Sequence, residues 1–459
     1  MLASATRKTS PLTLASTGQF LFFAGIIVAP WLHGLELVWE QLLFCALLAA
    51  TTITLAAEHQ RVLQLPAPVW RLFALWMLWA CISLIYLAPF PADVLATISP
   101  LSAEHYEGSA GVAEGYLTVY HYASAVESIK LATLGALILI VCALFNNKAT
   151  LHKLVLAIVF SVGLTAVYSL LNYIFEGELE VVSAIPPWDY PWSEGMRGTF
   201  SYKNQYALLV AMTIALAAGW LLDKLLPVKP SAHNTGASSG KIWAIAVAAL
   251  LVLFIIVLLN TGSRGALAAL GLSGLLCAIP LLSRATSSWR KWLNIKTIAG
   301  GIAVFAVVSV LFMQSSAFQR FTSDGLQGNG RTHLRNTALT VFEHYPVAGS
   351  GPGTYPYIQH QYKPSQLGNS AMSKRAHNDY LETLATTGLT GTFFIALAMA
   401  YLLFLAFRPT KQPTSGLLMG CRAAMLCYLI QAAIDVTISA FLLPVMFIVV
   451  GCMAVRENG

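Results

Sequence analysis

Long apolar stretches, each interrupted by only a few polar residues, constrain this chain more than any other feature of its sequence. The residue types AVILMFWYC fill 57% of its 459 positions, and Asp, Glu, Lys and Arg together fill only 10%. Ordinary soluble domains carry roughly 25% charged residues, so a soluble protein of this length would lack the polar side chains to cover its surface. The composition therefore excludes a soluble enzyme, a secreted disulfide scaffold and a disordered chain, and it predicts an all-α polytopic membrane protein.

A helix needs roughly 20 apolar residues to cross the hydrocarbon core of a bilayer. Twelve stretches meet that length, and each predicts a transmembrane helix. They lie near residues 17–33, 35–57, 69–88, 126–146, 151–175, 203–226, 241–260, 264–282, 297–315, 379–406, 416–436 and 438–455. The first stretch is interpreted as a span and not as a signal peptide, because no small-x-small cleavage site follows it and the second span comes almost at once.

The charged residues orient these spans. If the N-terminus is cytoplasmic, the inner side holds 17 of the 27 Lys and Arg residues and only 3 of the 20 Asp and Glu residues. Every short inner loop then carries Lys or Arg, as the positive-inside rule expects. Both termini are therefore predicted to be cytoplasmic, and the net charge of +7 is attributed to the bilayer and not to a nucleic-acid partner.

One polar segment on the predicted outer side is much longer than a connection between spans requires. It covers about residues 316–378, between spans nine and ten, and the stretch 332–344 within it has the apolar spacing of a helix that Tyr345-Pro346 would end. Shorter outer segments lie at 89–125 and 176–202. The chain is thus predicted to have four regions: an N-terminal bundle of about five spans (1–190), spans with two arginine motifs (191–315), the large loop (316–378) and three C-terminal spans (379–459).

Four arginines on the predicted outer side are unexpected, because the positive-inside rule depletes arginine there. Arg197 lies in RGTFSYKN before span six, and Arg264 lies in GSRGAL between spans seven and eight. Arg331 and Arg335 are four residues apart, so a helix would place both on one face. Guanidinium groups are planar, permanently charged and suited to phosphate oxygens. Together the four predict a site for a lipid-linked pyrophosphate.

Contact with lipid headgroups, or pairing with acidic outer loops, is the alternative explanation for such arginines. It is preferred for Arg320 and Lys363, which have no distinctive sequence context. It is not preferred for Arg264, because a charge embedded between two spans is destabilising and usually functional. The Gly262-Ser-Arg-Gly265 setting would also permit a close approach of the backbone.

His377 opens the motif HNDYLETLATTGLTG at the start of span ten. Asn378 or Asp379 can cap that helix, and a helix N-terminus disfavours the imidazolium ion, so His377 is expected to be neutral and able to accept a proton from a hydroxyl nucleophile. A purely structural histidine is the alternative. Asp379 and Glu382 are the carboxylates predicted to support the imidazole, whereas Asp435, between the last two spans, is interpreted as solvated.

Motifs of other reaction classes are missing from the sequence. It contains no G-x-S-x-G, no P-loop, no H-E-x-x-H and no aspartates with the spacing of divalent-metal ligands. The seven cysteines all lie in apolar stretches and form no C-x-x-C motif, so they are interpreted as buried hydrophobic residues. The sequence therefore predicts neither a metal site nor a cofactor.

The order of RGTFSYKN, GSRGAL, RTHLRNTALTVFEHYPVAGSGPGTY and HNDYLETLATTGLTG is similar to that of the O-antigen ligase and polymerase superfamily of membrane glycosyltransferases. The resemblance covers about residues 195–395, and the first 190 residues add only hydrophobicity and a number of spans. It implies a GT-C-like helical fold at the periplasmic face of a Gram-negative inner membrane. It also implies a glycan donor on undecaprenyl pyrophosphate and no metal requirement.

The resemblance also assigns roles to individual residues. Arg197 and Arg264 match arginines thought to bind the pyrophosphate, and His377 matches the proposed activating base. Arg331 and Arg335 match the basic part of the large loop. Further substrate contacts are expected from the end of the first motif, at Lys203 and Asn204. The chain departs from the superfamily in having Tyr202-Lys203 where Asn-Pro is frequent.

A single dominant outer loop favours one member of this superfamily, the ligase that joins O-antigen to a sugar hydroxyl of lipid A–core. In that reaction Arg264 would act catalytically by neutralising the departing pyrophosphate. A polymerase, or a protein O-oligosaccharyltransferase with the same donor, remains the alternative. A transporter of lipid-linked sugar is disfavoured, because transporters commonly place ionisable residues near the bilayer midplane and these charges lie at the outer ends of spans.

Overall fold

The computed structural model describes most of the chain. The described residues are 14–57, 62, 64–107, 114–179, 195–225, 237–282, 329–363, 374–409 and 414–458. The predicted ninth span, near 297–315, and Arg320 lie outside them.

The described residues are almost entirely helical. In chain order the α-helices are α1 (Leu14–Val28), α2 (Val38–Ala57), α3 (Ala67–Ser83), α4 (Ala92–Ile98), α5 (Pro100–Glu107), α6 (His121–Leu144), α7 (Lys148–Ile174), α8 (Lys203–Leu225), α9 (Ala237–Asn260), α10 (Arg264–Leu282), α11 (Asn329–His344), α12 (Tyr355–Ile358), α13 (Asp379–Phe407), α14 (Gly416–Ala432) and α15 (Leu442–Asn458). Single 3₁₀ turns follow α1, α3 and α12. Two short antiparallel strands, β1 (Phe90–Pro91) and β2 (Glu114–Gly115), pair Phe90 with Gly115.

Seven of the described helices are long and apolar enough to cross a membrane. They are α2, α3 with its 3₁₀ extension, α6, α7, α8, most of α9, and α13. Shorter apolar stretches occupy 17–31, 264–277 and 416–432. The prediction of an all-α membrane protein is therefore confirmed, whereas the number of twelve spans stays a prediction.

Helices α8 and α14 cross at unusually short distance because glycines line the contact. A Cβ atom added to Gly219 would lie 2.7 Å from Cα of Gly420 and 2.4 Å from the carbonyl oxygen of Gly416. Small residues at such crossings let helix backbones approach closely within a membrane. The two helices run in opposite directions, so the beginning of α8 lies at the end of α14, where the candidate site forms.

Helix α13 is interrupted at Gly388, whose φ of 61° and ψ of −167° are not helical. The amide groups around the interruption pair with the segment after α11: Leu389 N–H donates to Pro346 O (2.9 Å), and Gly351 N–H donates to Thr386 O (2.8 Å). The positive φ explains the glycine. These bonds join the second half of the predicted large loop to the first half of α13, the helix that begins just after His377.

Candidate active site

Three other segments of the chain converge on the carboxylate of Asp435, in the turn between α14 and α15. His377 Nδ1 lies 2.8 Å from Oδ1, and the hydroxyl of Tyr202 donates to the same oxygen at 3.0 Å. The other oxygen, Oδ2, accepts from Asn204 Nδ2 at 2.6 Å and from Arg331 at 3.2 Å. Asp435 itself is only 2% exposed. The interpretation of Asp435 as a solvated residue is therefore wrong.

The environment of Asp435 favours its anion. Burial alone would raise the pKa of Asp435, but the hydrogen bond from His377 and the charge of Arg331 outweigh it, so the pKa lies below its ordinary value. Burial and the nearby Asp435 charge raise the pKa of Tyr202, so that hydroxyl stays protonated and donates. The cluster thus contains one buried carboxylate with four side-chain donors around it, and the backbone amide of Val436 also donates to Oδ1 at 2.9 Å.

The imidazole of His377 is oriented by this carboxylate. When Nδ1 carries the proton donated to Asp435, the lone pair of the neutral ring lies on Nε2. The next residue, Asn378, caps α13 by accepting from Leu381 N–H (3.1 Å) and donates its Nδ2 to Ala433 O (2.9 Å). The side chain of His377 is 16% exposed. The ring is therefore fixed at one nitrogen and accessible enough to meet a substrate.

Arg331 and Arg335 lie on one face of α11, as predicted. Both donate to the same carbonyl oxygen, that of Ile434, at 3.3 Å. Arg331 also reaches Asp435, and its side chain remains 42% exposed. Among the described residues, Nε of Arg335 is buried without a partner. The loop helix is thus attached beside the imidazole by its two arginines.

The Arg197 and Arg264 motifs are also brought close to each other. The loop with Arg197 is bonded to the end of α9, since Met196 N–H donates to Asn260 O at 2.9 Å. Arg264 follows only four residues later and begins α10. Arg197 is 9% exposed, and both arginines have interaction partners.

Gly265, in the second motif, packs closely against two side chains from the end of α14 and the turn after it. A Cβ atom at Gly265 would lie 2.8 Å from Gln431 Oε1 and 3.0 Å from Cδ1 of Ile434. The close neighbour of this glycine is therefore α14 and the turn after it. This packing places Arg264, at the start of α10, next to the turn that Arg331 and Arg335 bind.

The remaining sequence-predicted residues divide between this cluster and its surroundings. Lys203 begins α8, and Asn204 donates to both Asp435 and the hydroxyl of Tyr202 (2.6 Å). Asp379 accepts from the backbone amides of Thr437 (2.9 Å) and Ile438 (3.2 Å).

Glu382 binds Arg375 (2.6 Å) and the amide of Ala376 (3.0 Å). The carboxylate on the imidazole thus belongs to Asp435, and Asp379 and Glu382 contact other partners.

Three residues of the site were missed by sequence reasoning. In the sequence Tyr202 stands out only as a departure from a family pattern, and no motif singles out Arg375. Asp435 is a lone acid in an apolar region, which is itself a signal for function in membrane proteins. Because Asp435 is 58 residues from His377 in the sequence, no local pattern predicts their contact.

A cavity of about 580 Å³ lies between α3, α6, α13 and α15. Its walls are mostly apolar and include Trp76, Leu134, Met399 and Phe447. The charged residues that line it are Glu36, Glu127, Lys130, Arg375, Asp379 and Glu382. His377 does not line it, so the cavity touches the segment around His377 without containing the imidazole.

No group of three or more His, Cys, Asp or Glu side chains that could hold a metal ion occurs within the described part of the chain. All seven cysteines are free of disulfide bonds.

Residues 247–396 match the O-antigen ligase family. The resemblance to the O-antigen ligase superfamily is thereby confirmed. A comparison with curated proteins gives no match to the chain. The matched segment holds Arg264, Arg331, Arg335 and His377, whereas Arg197 and Asp435 lie outside it. The match supports a membrane enzyme of the O-antigen ligase and polymerase type.

Proposed function

We propose that this protein is an O-antigen ligase. It would transfer a glycan from undecaprenyl pyrophosphate to a sugar hydroxyl of lipid A–core, with inversion and without a metal ion. The reaction would take place at the periplasmic face of a Gram-negative inner membrane, with both termini of the chain in the cytoplasm. The observation that carries the proposal is the Asp435–His377 pair beside Arg331, because it joins a proton acceptor to a phosphate-binding cation.

His377 is the proposed general base. Its Nε2 accepts the proton of the acceptor hydroxyl while the oxygen attacks the anomeric carbon of the donor glycan. Asp435, held as an anion, stabilises the imidazolium that forms and keeps Nδ1 protonated. General-base catalysis of this kind contributes roughly 10²- to 10⁴-fold in rate.

The arginines are the proposed pyrophosphate site. As the new glycosidic bond forms, the bond between the anomeric carbon and the phosphate oxygen breaks, and undecaprenyl pyrophosphate leaves as an anion. Guanidinium groups near that oxygen lower the barrier by neutralising the developing charge. Arg197 and Arg264 come from adjoining loops, Arg331 and Arg335 from one face of α11, and Lys203 and Asn204 complete the substrate contacts.

We assign the apolar cavity to a hydrocarbon chain of one of the lipid substrates. Three of its four walls, α3, α6 and α13, are helices long and apolar enough to cross a membrane, and its volume of about 580 Å³ falls within the range of ordinary ligand pockets. Arg375, Asp379 and Glu382 connect it to the segment that carries His377. A chain in this cavity would therefore end close to the reacting groups.

An in vitro transfer assay tests the proposal. Purified protein is mixed with an undecaprenyl-pyrophosphate glycan and a rough lipid A–core acceptor in EDTA, and lipopolysaccharide is resolved by gel. We expect a glycan-capped band with the unmodified protein, and its loss in His377→Ala and Arg264→Ala. His344→Ala is the matched control, since His344 is an exposed histidine of α11 that bonds to Thr340 O of its own helix (2.8 Å) and packs on the ring of Tyr362, outside the cluster around Asp435.

Each other outcome contradicts the proposal in a different way. A longer glycan with an unmodified lipid acceptor indicates a polymerase, and transfer to a protein acceptor indicates an O-oligosaccharyltransferase. An absolute requirement for Mg²⁺ contradicts the metal-free reaction. No covalent product under any condition supports a transporter of lipid-linked sugar instead.

A further inference from the structure

The backbone of His377 has an unusual conformation. Its φ is 50°, in the left-handed region that residues other than glycine rarely adopt. Such a conformation persists only where surrounding contacts hold it in place. The residues on both sides of His377 supply those contacts.

On the C-terminal side, residues 378 and 379 are fixed by the turn between α14 and α15. Asn378 binds Ala433 O, and Asp379 binds the backbone amides of Thr437 and Ile438. These bonds attach the beginning of α13 to the turn that carries Asp435. They determine the direction in which the chain enters the helix.

On the N-terminal side, one carboxylate fixes both residues before His377. Glu382 Oε1 accepts from the guanidinium of Arg375 at 2.6 Å, and Glu382 Oε2 accepts from the backbone amide of Ala376 at 3.0 Å. Glu382 is 2% exposed, and the side chain of Ala376 is buried in a small cluster with Val341 and Tyr355. The carboxylate belongs to the first turns of α13, so the chain folds back onto its own helix.

We propose that Glu382 and Arg375 are positioning residues for His377. Glu382 fixes Ala376 relative to Asn378 and so holds the intervening residue in its left-handed conformation, with the imidazole directed at Asp435. Arg375 aligns the buried carboxylate and compensates its charge, which a single backbone amide would not do. This inference rests on the proposed role of His377 as a base.

A double-mutant cycle between Glu382 and His377 tests the proposal, with the transfer rate measured on a radiolabelled donor. Because a misplacement of about 1 Å can reduce a rate by roughly 10²-fold, we expect Glu382→Gln to lower kcat by roughly 10- to 100-fold and to leave the donor KM within about twofold. In the His377→Ala background, Glu382→Gln should cause no further loss, because residues that act as a unit are not additive.

Glu40→Gln is the matched control. Glu40 is also a buried carboxylate that binds one side chain and one backbone amide, through His33 Nδ1 (2.6 Å) and Leu37 N–H (3.1 Å). Because Glu40 is buried, we expect Glu40→Gln to lower thermal stability about as much as Glu382→Gln does. Because Glu40 lies outside the cluster around Asp435, we expect any loss of kcat in Glu40→Gln to be equal in the wild-type and His377→Ala backgrounds.

Two results would overturn the proposal. One is a folded Glu382→Gln protein with wild-type kcat, and the other is a loss that adds fully to that of His377→Ala. If Glu382→Gln does not fold, Arg375→Gln replaces it in the same double-mutant cycle. Arg375→Gln keeps the bond between Glu382 and the amide of Ala376, so the expected loss in kcat is smaller. A His377→Ala protein with full activity, or a wild-type protein without transfer, contradicts the proposed function itself and is recognised before the cycle begins.

Discussion

Two histidines of this protein share a local structure and differ in their surroundings. His33, between α1 and α2, has a φ of 48° and binds Glu40 through Nδ1 at 2.6 Å; His377 has a φ of 50° and binds Asp435 through Nδ1 at 2.8 Å. His33 is 2% exposed, and its carboxylate partner lies only seven residues away. The side chain of His377 is 16% exposed, and its partner comes from a distant turn that also binds Arg331.

The difference shows that a histidine–carboxylate pair is not by itself a reactive site. The segment around His33 is a structural connection: the amides of Phe441 and Leu442 donate to Leu35 O and Gly34 O, and Phe200 packs on Gly34. The pair there is enclosed, whereas the pair at His377 faces a surface and lies beside cations that can hold an anionic leaving group. Accessibility and neighbouring charge distinguish the enclosed pair at His33 from the pair at His377, for which we propose the catalytic role.

The largest expected effect separates the two histidines directly. His377→Ala should reduce the transfer rate by about 10²- to 10⁴-fold, because the general base is removed. His33→Ala should leave kcat within a few-fold but lower the free energy of unfolding by about 3 kcal/mol, because it leaves Glu40 buried without its partner. Transfer assays and thermal unfolding in detergent measure the two quantities. Equal losses of activity in both variants would contradict the assignment of a structural role to His33 and a catalytic role to His377.

Substitutions of the two carboxylate partners, Asp435 and Glu40, should differ in the same way as those of the two histidines. Asp435→Asn keeps the shape of the side chain but can favour the wrong tautomer of His377, so we expect a loss of about 10²-fold in kcat with a smaller change in donor KM. Glu40→Gln should mainly reduce stability. The pair of kcat values, normalised to folded protein, measures this contrast, and a wild-type rate in Asp435→Asn would contradict the role assigned to Asp435.

Substitutions of the two arginines of α11 should differ less in their effects on the kinetics than those of the two carboxylates. Both bind Ile434 O, but only Arg331 also binds Asp435. A hydrogen bond to a charged group contributes roughly 1.5–3 kcal/mol, so Arg331→Gln should raise the donor KM and also lower kcat, each by about tenfold. Arg335→Gln should raise the donor KM alone. Steady-state kinetics with varied donor separate these outcomes, and an unchanged KM in both variants would remove α11 from the pyrophosphate site.

The sequence predicts local features of this protein well. Apolar length predicts the seven described helices that are long enough to cross a membrane, and spacing of four residues predicts that Arg331 and Arg335 share a face. Both signals are local, because they depend on the 3.6-residue period of a helix. Residues 332–344 are likewise helical as the apolar spacing predicts, within α11.

Contacts between distant segments are what the sequence does not predict. Asp435 lies 58 residues from His377 and 233 from Tyr202, and no periodicity relates these positions. Proximity in sequence favoured Asp379 and Glu382 as partners of the imidazole, but both carboxylates are used to hold the backbone. Only the packing of α8, α11 and α14 brings the true partners together.

The smallest expected effect concerns pH and the stability of the cluster. The pKa of Asp435 is lower in the folded protein than its ordinary value, so its contribution to stability is complete above about pH 4 and is lost as the pH falls through the folded pKa. Thermal unfolding of wild type and Asp435→Asn should therefore differ at pH 7 and converge as the pH falls below about 4. Glu40→Gln serves as the comparison, since it removes a buried carboxylate outside this cluster. A difference between wild type and Asp435→Asn that persists unchanged at the lowest pH would mean that the negative charge of Asp435 does not stabilise the cluster, and that its hydrogen bonds alone hold His377.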